Sequence, residues 1–578
     1  MLARGGWLTR AAPAATVLLL IGPVICGFLG TLLPAFGFLP GLGGKAVTLD
    51  HFRALFEVPG LAGSVGHSLL TGLASTLASL LITGIFIASH FGTRAFAVIR
   101  RLIAPLLAVP HAAAAFGLAF LIAPSGLLLR LVSPSLTGFE RPPDFLIVHD
   151  PLGLAMIAGL IAKEIPFLFL ISLAVLPQSR SEPALRLGRS LGYGRVASFV
   201  FLVWPSYYRQ IRLAVLAVLA YATSVVDVAL ILGPQLPPTL PVRLLDWMND
   251  PDLTRRYLAS AGAILQLAVG GLAILVWFGL ERVGAILVTA LRARGQRCRK
   301  DGVVRSLSLA GMGLAAATVL ASIVVLGIWS VAGLWPFPEA FPQTLSWSGW
   351  QRALAQMCSP LTTTLIVAII AALISVVLTL LCLENEFRDG QGDLRHSTAG
   401  SQRESRSNKA LLILYLPLIV PQISFLFGMQ YVAILSGLDA TFAGLTLAHL
   451  VFVLPYVFLS LSDPWRGFDR RFDTLAAGLG MSRQRALWRI RLPMLSRAIL
   501  TAFAVGFAVS VGQYLPTVLI GAGRLTTITS EAVALSSGGN RRVVGVYGLV
   551  QSGLPFLAFA IAIALPVLLF RNRRGLRV

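Results

Sequence analysis

Acidic residues and cysteines are the scarce classes in this chain of 578 residues. Charged residues of both signs make up 12% of it, and Asp and Glu supply only 24 of them against 47 Lys and Arg. So little charge cannot cover a water-soluble surface, and a soluble globular fold is excluded. The four cysteines, Cys26, Cys298, Cys358 and Cys382, stand far apart with no C-x-x-C spacing and no histidine cluster beside them. That excludes a disulfide framework and a zinc site. A phosphate-binding loop is missing too. The nearest approach, Gly44-Lys45-Ala46, has Leu39 where the motif needs its first glycine and Ala46 where it needs a hydroxyl. Any ATP chemistry the chain depends on must reside in a partner, and no set of residues points to a cofactor or a metal ion.

What the chain has in abundance is apolar sequence. Hydrophobic residues make up 56% of it, the mean hydropathy is +0.81, and continuously apolar runs of about 20 residues recur along the whole length. Strands of a membrane β-barrel would alternate apolar and polar residues, so the pattern predicts an all-α polytopic membrane protein. Twelve spans are expected, near residues 13–36, 64–88, 102–123, 152–177, 208–233, 258–288, 307–333, 361–383, 410–436, 442–461, 498–521 and 545–570. The apolar stretch after Arg10 is longer than a signal-peptide core and reads as a retained first helix. With the N-terminus inside, most Lys and Arg fall in the cytoplasmic segments, which predicts cytoplasmic N- and C-termini. The net charge of +23 follows from that bias and from attraction to an anionic leaflet. Arginines dispersed over many loops do not form a nucleic-acid patch.

Two loops carry one spaced pattern. Leu187 to Pro205 reads LGRSLGYGRVASFVFLVWP, and Leu475 to Pro493 reads LAAGLGMSRQRALWRIRLP. Gly192, Arg195 and Pro205 recur as Gly480, Arg483 and Pro493 at a constant offset of 288. Within the spans, Pro110-His111 and Phe116-Gly117 recur as Pro421-Gln422 and Phe427-Gly428 at an offset of 311. The change of offset places 23 extra residues in the first half, most of them expected near Ser125–Asp150. An even number of spans per half makes the repeat parallel. The expected division is 1–300 and 301–578, with the paired loops at 178–210 and 463–497. Each glycine permits φ > 0 between two short helices, and each proline can open the next span.

At these residues the chain resembles the permease subunits of ABC importers, whose cytoplasmic loop follows E-A-A, three residues, G, nine residues, I-x-L-P. The second loop ends Ile490-Arg491-Leu492-Pro493 with Gly480 at the required spacing; the first has Gly192 and ends Leu202-Val203-Trp204-Pro205. The glutamate of the pattern is replaced by Arg186 and Thr474, and Ala476 is the one alanine kept. More narrowly the chain looks like the fused double permeases of the thiamine and ferric-iron type, and Gly512 to Arg542 resembles a thiamine-permease-like group. The resemblance implies a type I-like importer fold in an inner membrane and a partner set of two copies of an ATPase subunit and an exported solute-binding protein. Gly192, Arg195, Pro205, Gly480, Arg483 and Pro493 would belong to the coupling loops that dock the ATPase.

Polar residues inside the spans are the remaining candidates. Lys163 and Glu164 fall roughly 18 Å below the outer end of the fourth span, near mid-bilayer. Each ion there costs on the order of 2.5–3.5 kcal/mol unless paired or hydrated. Either they line the substrate pathway or they form an interhelical ion pair. Asp227 and Gln513, in spans next to the paired loops, are the other pathway candidates. His67, His111 and His449 read as packing histidines, Pro166 and Pro455 as kinks, and Glu384–Lys409 as a flexible inside loop. An ion-coupled secondary transporter would also suit Lys163, Glu164 and Asp227, whereas a membrane scaffold would leave the duplicated loops unexplained.

Overall fold

The computed structural model describes residues 6–177, 181–295, 297–392 and 413–569, and they form helices and connecting turns. In chain order the helices used below are α1 (Gly6–Ala35), α2 (Leu61–His90), α3 (Arg94–Leu106), α4 (His111–Ile122), α5 (Leu127–Val132), α6 (Leu154–Val175), α7 (Ser181–Ser190), α8 (Trp204–Ser224), α9 (Asp227–Leu232) and α10 (Arg255–Ala293). There follow α11 (Gly302–Val331), α12 (Ser348–Gly392), α13 (Ile413–Ile419), α14 (Ile423–Leu435), α15 (Phe442–Arg466), α16 (Arg471–Gly478), α17 (Ser496–Val511), α18 (Leu515–Gly521) and α19 (Arg541–Leu569). Among the described residues nine helices are long and apolar enough to cross a membrane, or eleven if each of two bent pairs counts as one span.

Four of the twelve expected spans are not single helices: 410–436 is divided between α13 and α14 and 498–521 between α17 and α18, and the other two lie in the first half. Residues 102–123 are divided at Pro110: α3 is amphipathic, burying Phe96, Ile99, Ile103 and Leu106 while its arginines stay exposed, and α4 starts afresh at His111. Residues 208–233 are divided between α8 and α9 where Val225 turns extended, at φ −66° and ψ 136°. The segment expected to be a loop from Glu384 is helical as far as Gly392, because α12 continues through it; residues 393–412 lie outside the described ones. The additional residues of the first half fall in 123–153, where the second half has only 436–441.

Packing repeats with the sequence. In the first half α2 packs on α6 and α8, and in the second α12 packs on α15 and α17. The sixth helix of each half follows suit, α10 against α1 and α8, and α19 against α11 and α17. The leading helices cross over. α1 lies on α14 and α12 of the second half, and α11 lies on α4 and α2 of the first. Association inside a bilayer is driven by close packing rather than by hydrophobic burial, so small residues mark such crossings. Gly27 and Gly30 of α1 meet Gly428 of α14, and Thr31 Oγ1 accepts the Gly428 N–H at 2.9 Å. At the matching place Gly117 of α4 meets Ser322 of α11, with no room for a Cβ. A third tie lies outside the bundle, where buried Arg130 of α5 donates to the Pro336 carbonyl at 2.8 Å and stacks 4.6 Å over Trp335.

A Cβ on Gly428 would overlap the backbone of α1. Gly428→Leu should destabilise the chain by about 1–3 kcal/mol or more. The loss should appear as a lowered thermal midpoint of the detergent-purified protein, and Gly313→Leu, where a side chain meets open space, should leave the midpoint unchanged.

Candidate functional site: a central cavity and two paired loops

Four helix breaks meet at the centre of the molecule. α3 gives way to α4 at Leu107–Pro110, α8 to α9 at Val225–Val226, α13 to α14 at Val420–Gln422 with a 98° bend, and α17 to α18 at Gly512–Tyr514. Pro110 and Pro421 coincide under the offset of 311, and Val225 and Gln513 under the offset of 288. Irregular backbone at membrane depth persists only where it lines a cavity or is buried in protein. Here it does the first, enclosing a cavity of about 240 Å³ between the two halves, to which all four breaks contribute.

All four pathway candidates, Lys163, Glu164, Asp227 and Gln513, line this one cavity. Their environments differ. Lys163 makes no ion pair: its Nζ donates to the Leu106 and Val109 carbonyls at 3.0 and 2.6 Å, two acceptors that the break after α3 leaves free. Glu164 Oε1 lies 3.6 Å from His111 Nε2 and accepts no hydrogen bond. Asp227 opens α9, where its carboxylate meets the N–H of Val228. His111, expected to be a packing residue, sits in the cavity wall with its ring 4.9 Å from that of Tyr221. His449 does pack, bridging Ser510 Oγ at 2.8 Å and Thr517 Oγ1 at 3.1 Å across the break between α17 and α18. His67 lies outside the cavity, 3.0 Å from the Pro237 carbonyl.

Two residues that sequence reasoning passed over hold the breaks open. Fully buried Gln266 of α10 donates from Nε2 to the Thr223 carbonyl at 3.1 Å, at the end of α8. Its counterpart Gln551 of α19 donates to Thr529 Oγ1 at 2.7 Å, and that hydroxyl in turn donates to the Val511 carbonyl at the end of α17. A glutamine in the same region of the last span of each half was the available signal. The rings of Phe167, Tyr221, Phe452, Tyr456, Tyr514 and Phe559, also in the wall, carry no such signal in an apolar run.

The paired loops adopt one geometry. After α7 and α16 the chain turns through Gly192 and Gly480, at φ 81° and 71°. In each turn the glycine N–H reaches back three residues, to Arg189 and Ala477, and the next N–H reaches back five, to Gly188 and Ala476, at 2.9–3.1 Å. This is a Schellman turn, with glycine at the left-handed position. Short helices then begin at Arg195 and Arg483, and widened turns of π type at Phe199–Val203 and Leu487–Arg491 lead to Pro205 and Pro493 at the start of the next helix. Leu187 and Leu191 are 57% and 52% exposed, and their equivalents Leu475 and Leu479 are 63% and 80% exposed.

The anchoring of the loops differs. Segment 297–301 clamps the first: the Arg297 carbonyl accepts from Gly194 N–H at 2.9 Å, and Asp301 Oδ2 accepts from the N–H groups of Arg195 and Val196 at 3.0 and 3.2 Å. Arg195 is half-buried, with its guanidinium on the Phe91 carbonyl, whereas Arg483 is exposed. The second loop is anchored by Arg491, which pairs with Glu384 at 2.8 Å and Asp473 at 2.6 Å and lies 3.8 Å over the Phe387 ring. Arg186 pairs only with exposed Glu182, at 3.2 Å, and Thr474 with the Arg470 carbonyl, at 3.3 Å.

The sequence is similar to those of known transport permeases. Residues 398–572 match the family described as binding-protein-dependent transport system inner membrane component. Over 534 residues the chain is 29% identical to the inner membrane ABC transporter permease protein YnjC of Escherichia coli strain K12, covering 92% of this chain and 93% of that one. Shorter matches include the spermidine/putrescine transport system permease protein PotC of Haemophilus influenzae, 30% identical over 98 residues, 17% of this chain and 38% of that one. The molybdenum transport system permease protein ModB of Mycobacterium bovis is 29% identical over 112 residues, 18% of this chain and 42% of that one.

Lys163→Met should leave the Leu106 and Val109 carbonyls without their donor, and Gln266→Leu should do the same for Thr223. Each should lower stability by about 1–3 kcal/mol, read as a drop in thermal midpoint, and Lys163→Arg should recover part of the first loss. An unchanged midpoint in Lys163→Met would show that the ammonium does not hold the break.

Proposed function

We propose that the chain is a permease of the binding-protein-dependent transport class and forms the whole membrane part of an ABC importer. Its halves, 1–300 and 301–578, enclose the substrate pathway, and loops 178–210 and 463–497 each seat on one copy of a separate ATPase subunit. An exported solute-binding protein delivers the solute from outside, and both termini face the cytoplasm. The observation that carries this reading is the paired leucines. Leu187/Leu191 and Leu475/Leu479 stay exposed at matching places beside identical glycine turns. Burying one leucine against a partner contributes about 1.5–3 kcal/mol, which gives these positions a docking role.

In this mechanism closure of the ATPase pair pulls the two loops together and rocks the halves about the cavity, so that it opens to alternate sides. The breaks lining the cavity belong to the same chain segments as the loops. α8 follows the first loop directly and ends at Val225, and α17 follows the second and ends at Gly512. Movement of either loop along its helix thus reaches the cavity wall. A second reading, ion coupling without ATP, draws on Glu164 beside His111 and on Asp227 in the wall. It gives no role to the exposed leucines.

Coexpression with the ATPase subunit separates the two. Leu191→Asp and Leu479→Asp should each accumulate normally in the membrane and weaken ATPase copurification roughly ten- to hundredfold, the equivalent of losing one buried leucine. Uptake that persists in both variants, or that runs on an ion gradient without ATP, would sink the importer reading. Reporter fusions after Lys300 should read cytoplasm and fusions near Asp144 and Gly538 the outside; an external signal at Lys300 would overturn the orientation.

A further inference from the structure

The relatives do not fix the sign of the solute, since one is named for polyamines and another for molybdenum. The cavity wall has a sign of its own. Four of its side chains, His111, Lys163, Glu164 and Asp227, bear an imidazole, an ammonium and two carboxyl groups, and none is an arginine. Lys163 is already directed onto two carbonyls at the end of α3. Glu164 is 3% exposed and its Oε1 has no hydrogen-bond donor, with His111 Nε2 3.6 Å away. Asp227, 7% exposed, faces the same space. The wall thus holds two carboxyl groups against one ammonium, and that ammonium is already engaged by backbone carbonyls. The rest of the wall is mostly aliphatic, with six rings from Phe and Tyr set into it.

We propose that this cavity takes a small organic cation, its positive centre held between Glu164 and Asp227 and its apolar body against rings of the wall. The inference rests on reading the cavity as the substrate pathway. Aromatic faces attract a cation through the ring quadrupole, and most strongly where water is excluded. The other ligand classes fit worse. An oxyanion would meet two buried carboxylates and no arginine. A bare metal ion would need several oxygen or nitrogen ligands together, and no group of three His, Cys, Asp or Glu able to hold one exists among the described residues. A neutral apolar molecule would displace water from two carboxylates and leave them unpaired. A cavity of about 240 Å³ limits the guest to a small molecule.

The probes are benzyltrimethylammonium, molybdate and glutamate, added to the detergent-purified chain coexpressed with its ATPase subunit, and the readout is the thermal midpoint. Benzyltrimethylammonium should raise it saturably, and molybdate and glutamate should not. Glu164→Gln and Asp227→Asn should each weaken the cation roughly ten- to hundredfold, the range for removing a charged hydrogen-bonding group, while retaining the ATPase. Tyr456→Leu, which leaves the charges in place, should weaken it as well. Stabilisation by molybdate in preference to the cation, or cation binding unchanged in all three variants, overturns the proposal. If a carboxylate variant does not accumulate, the probe preference of the unmodified chain and Tyr456→Leu decide. Cation binding to a chain that takes up no ATPase keeps the ligand class and removes the importer reading; ATP-driven uptake with anion preference does the reverse.

Discussion

A polypeptide inside a bilayer has no water to answer its free N–H and C=O groups, and the centre of this molecule is arranged around that constraint. Four breaks in helices bring backbone to one cavity, and such backbone needs partners from elsewhere. Lys163 supplies them for α3, Gln266 for α8, and the Gln551–Thr529 pair for α17. The donors come from α6, α10, α19 and the Thr527–Ser536 region, so three of the four breaks are each fixed by a neighbouring element. Because the carbonyls are answered from behind, the irregular backbone can face the cavity without collapsing into it. Lys163 thereby belongs to the framework even though it lies in the wall, and the polarity of the site is left to Glu164, Asp227, His111 and the tyrosines.

The crossed leading helices set how such a framework can move. α1 is bound to the second half through Gly27, Gly30 and Gly428, and α11 to the first through Gly117 and Ser322. Contacts this close, backbone against backbone, do not slide by small steps. The rigid units are therefore mixed, α1 travelling with the second half and α11 with the first. Rotation of one unit against the other leaves the crossings intact and acts on the cavity, where the wall is made of rings and side chains rather than interlocked backbone.

How much of this was legible depended on whether a residue's chemistry required its surroundings. Gly192 and Gly480, at a fixed distance from Pro205 and Pro493, could be read as turns because glycine alone enters the left-handed region freely. Lys163, Glu164 and Asp227 stood out because charge in an apolar run demands a reason. The break at Val225–Val226 was invisible, since two valines in an apolar run are as compatible with a continuous helix as with its end. Pro110 marked its break, but the chain on its N-terminal side was assigned to the same span because the amphipathic pattern of α3, with Arg100 and Arg101 outward, overlaps the apolar run. Gln266 and Gln551 were legible in kind, as buried amides, but their partners are backbone atoms, which sequence does not single out. The rings of the wall were illegible for the same reason as Val225, a ring being equally at home in a core.

The two loops show that duplication preserved a shape while its anchoring diverged. In the first, the backbone of Gly194, Arg195 and Val196 is held by Arg297 and Asp301. In the second, the side chain of Arg491, 4% exposed, carries the attachment through Glu384 and Asp473. Asp473 lies one residue before Thr474, the position where the importer pattern has its glutamate, so an acid has been kept within reach of the loop while the pattern position itself changed. The first loop has no such acid, and Arg186 at that position turns outward to Glu182. The clamp on the first loop is built from the segment that joins α10 to α11. The second loop rests instead on the part of α12 that carries Glu384 and Phe387. The loops are thus unequal, with one braced by the segment between α10 and α11 and the other by a buried ion pair.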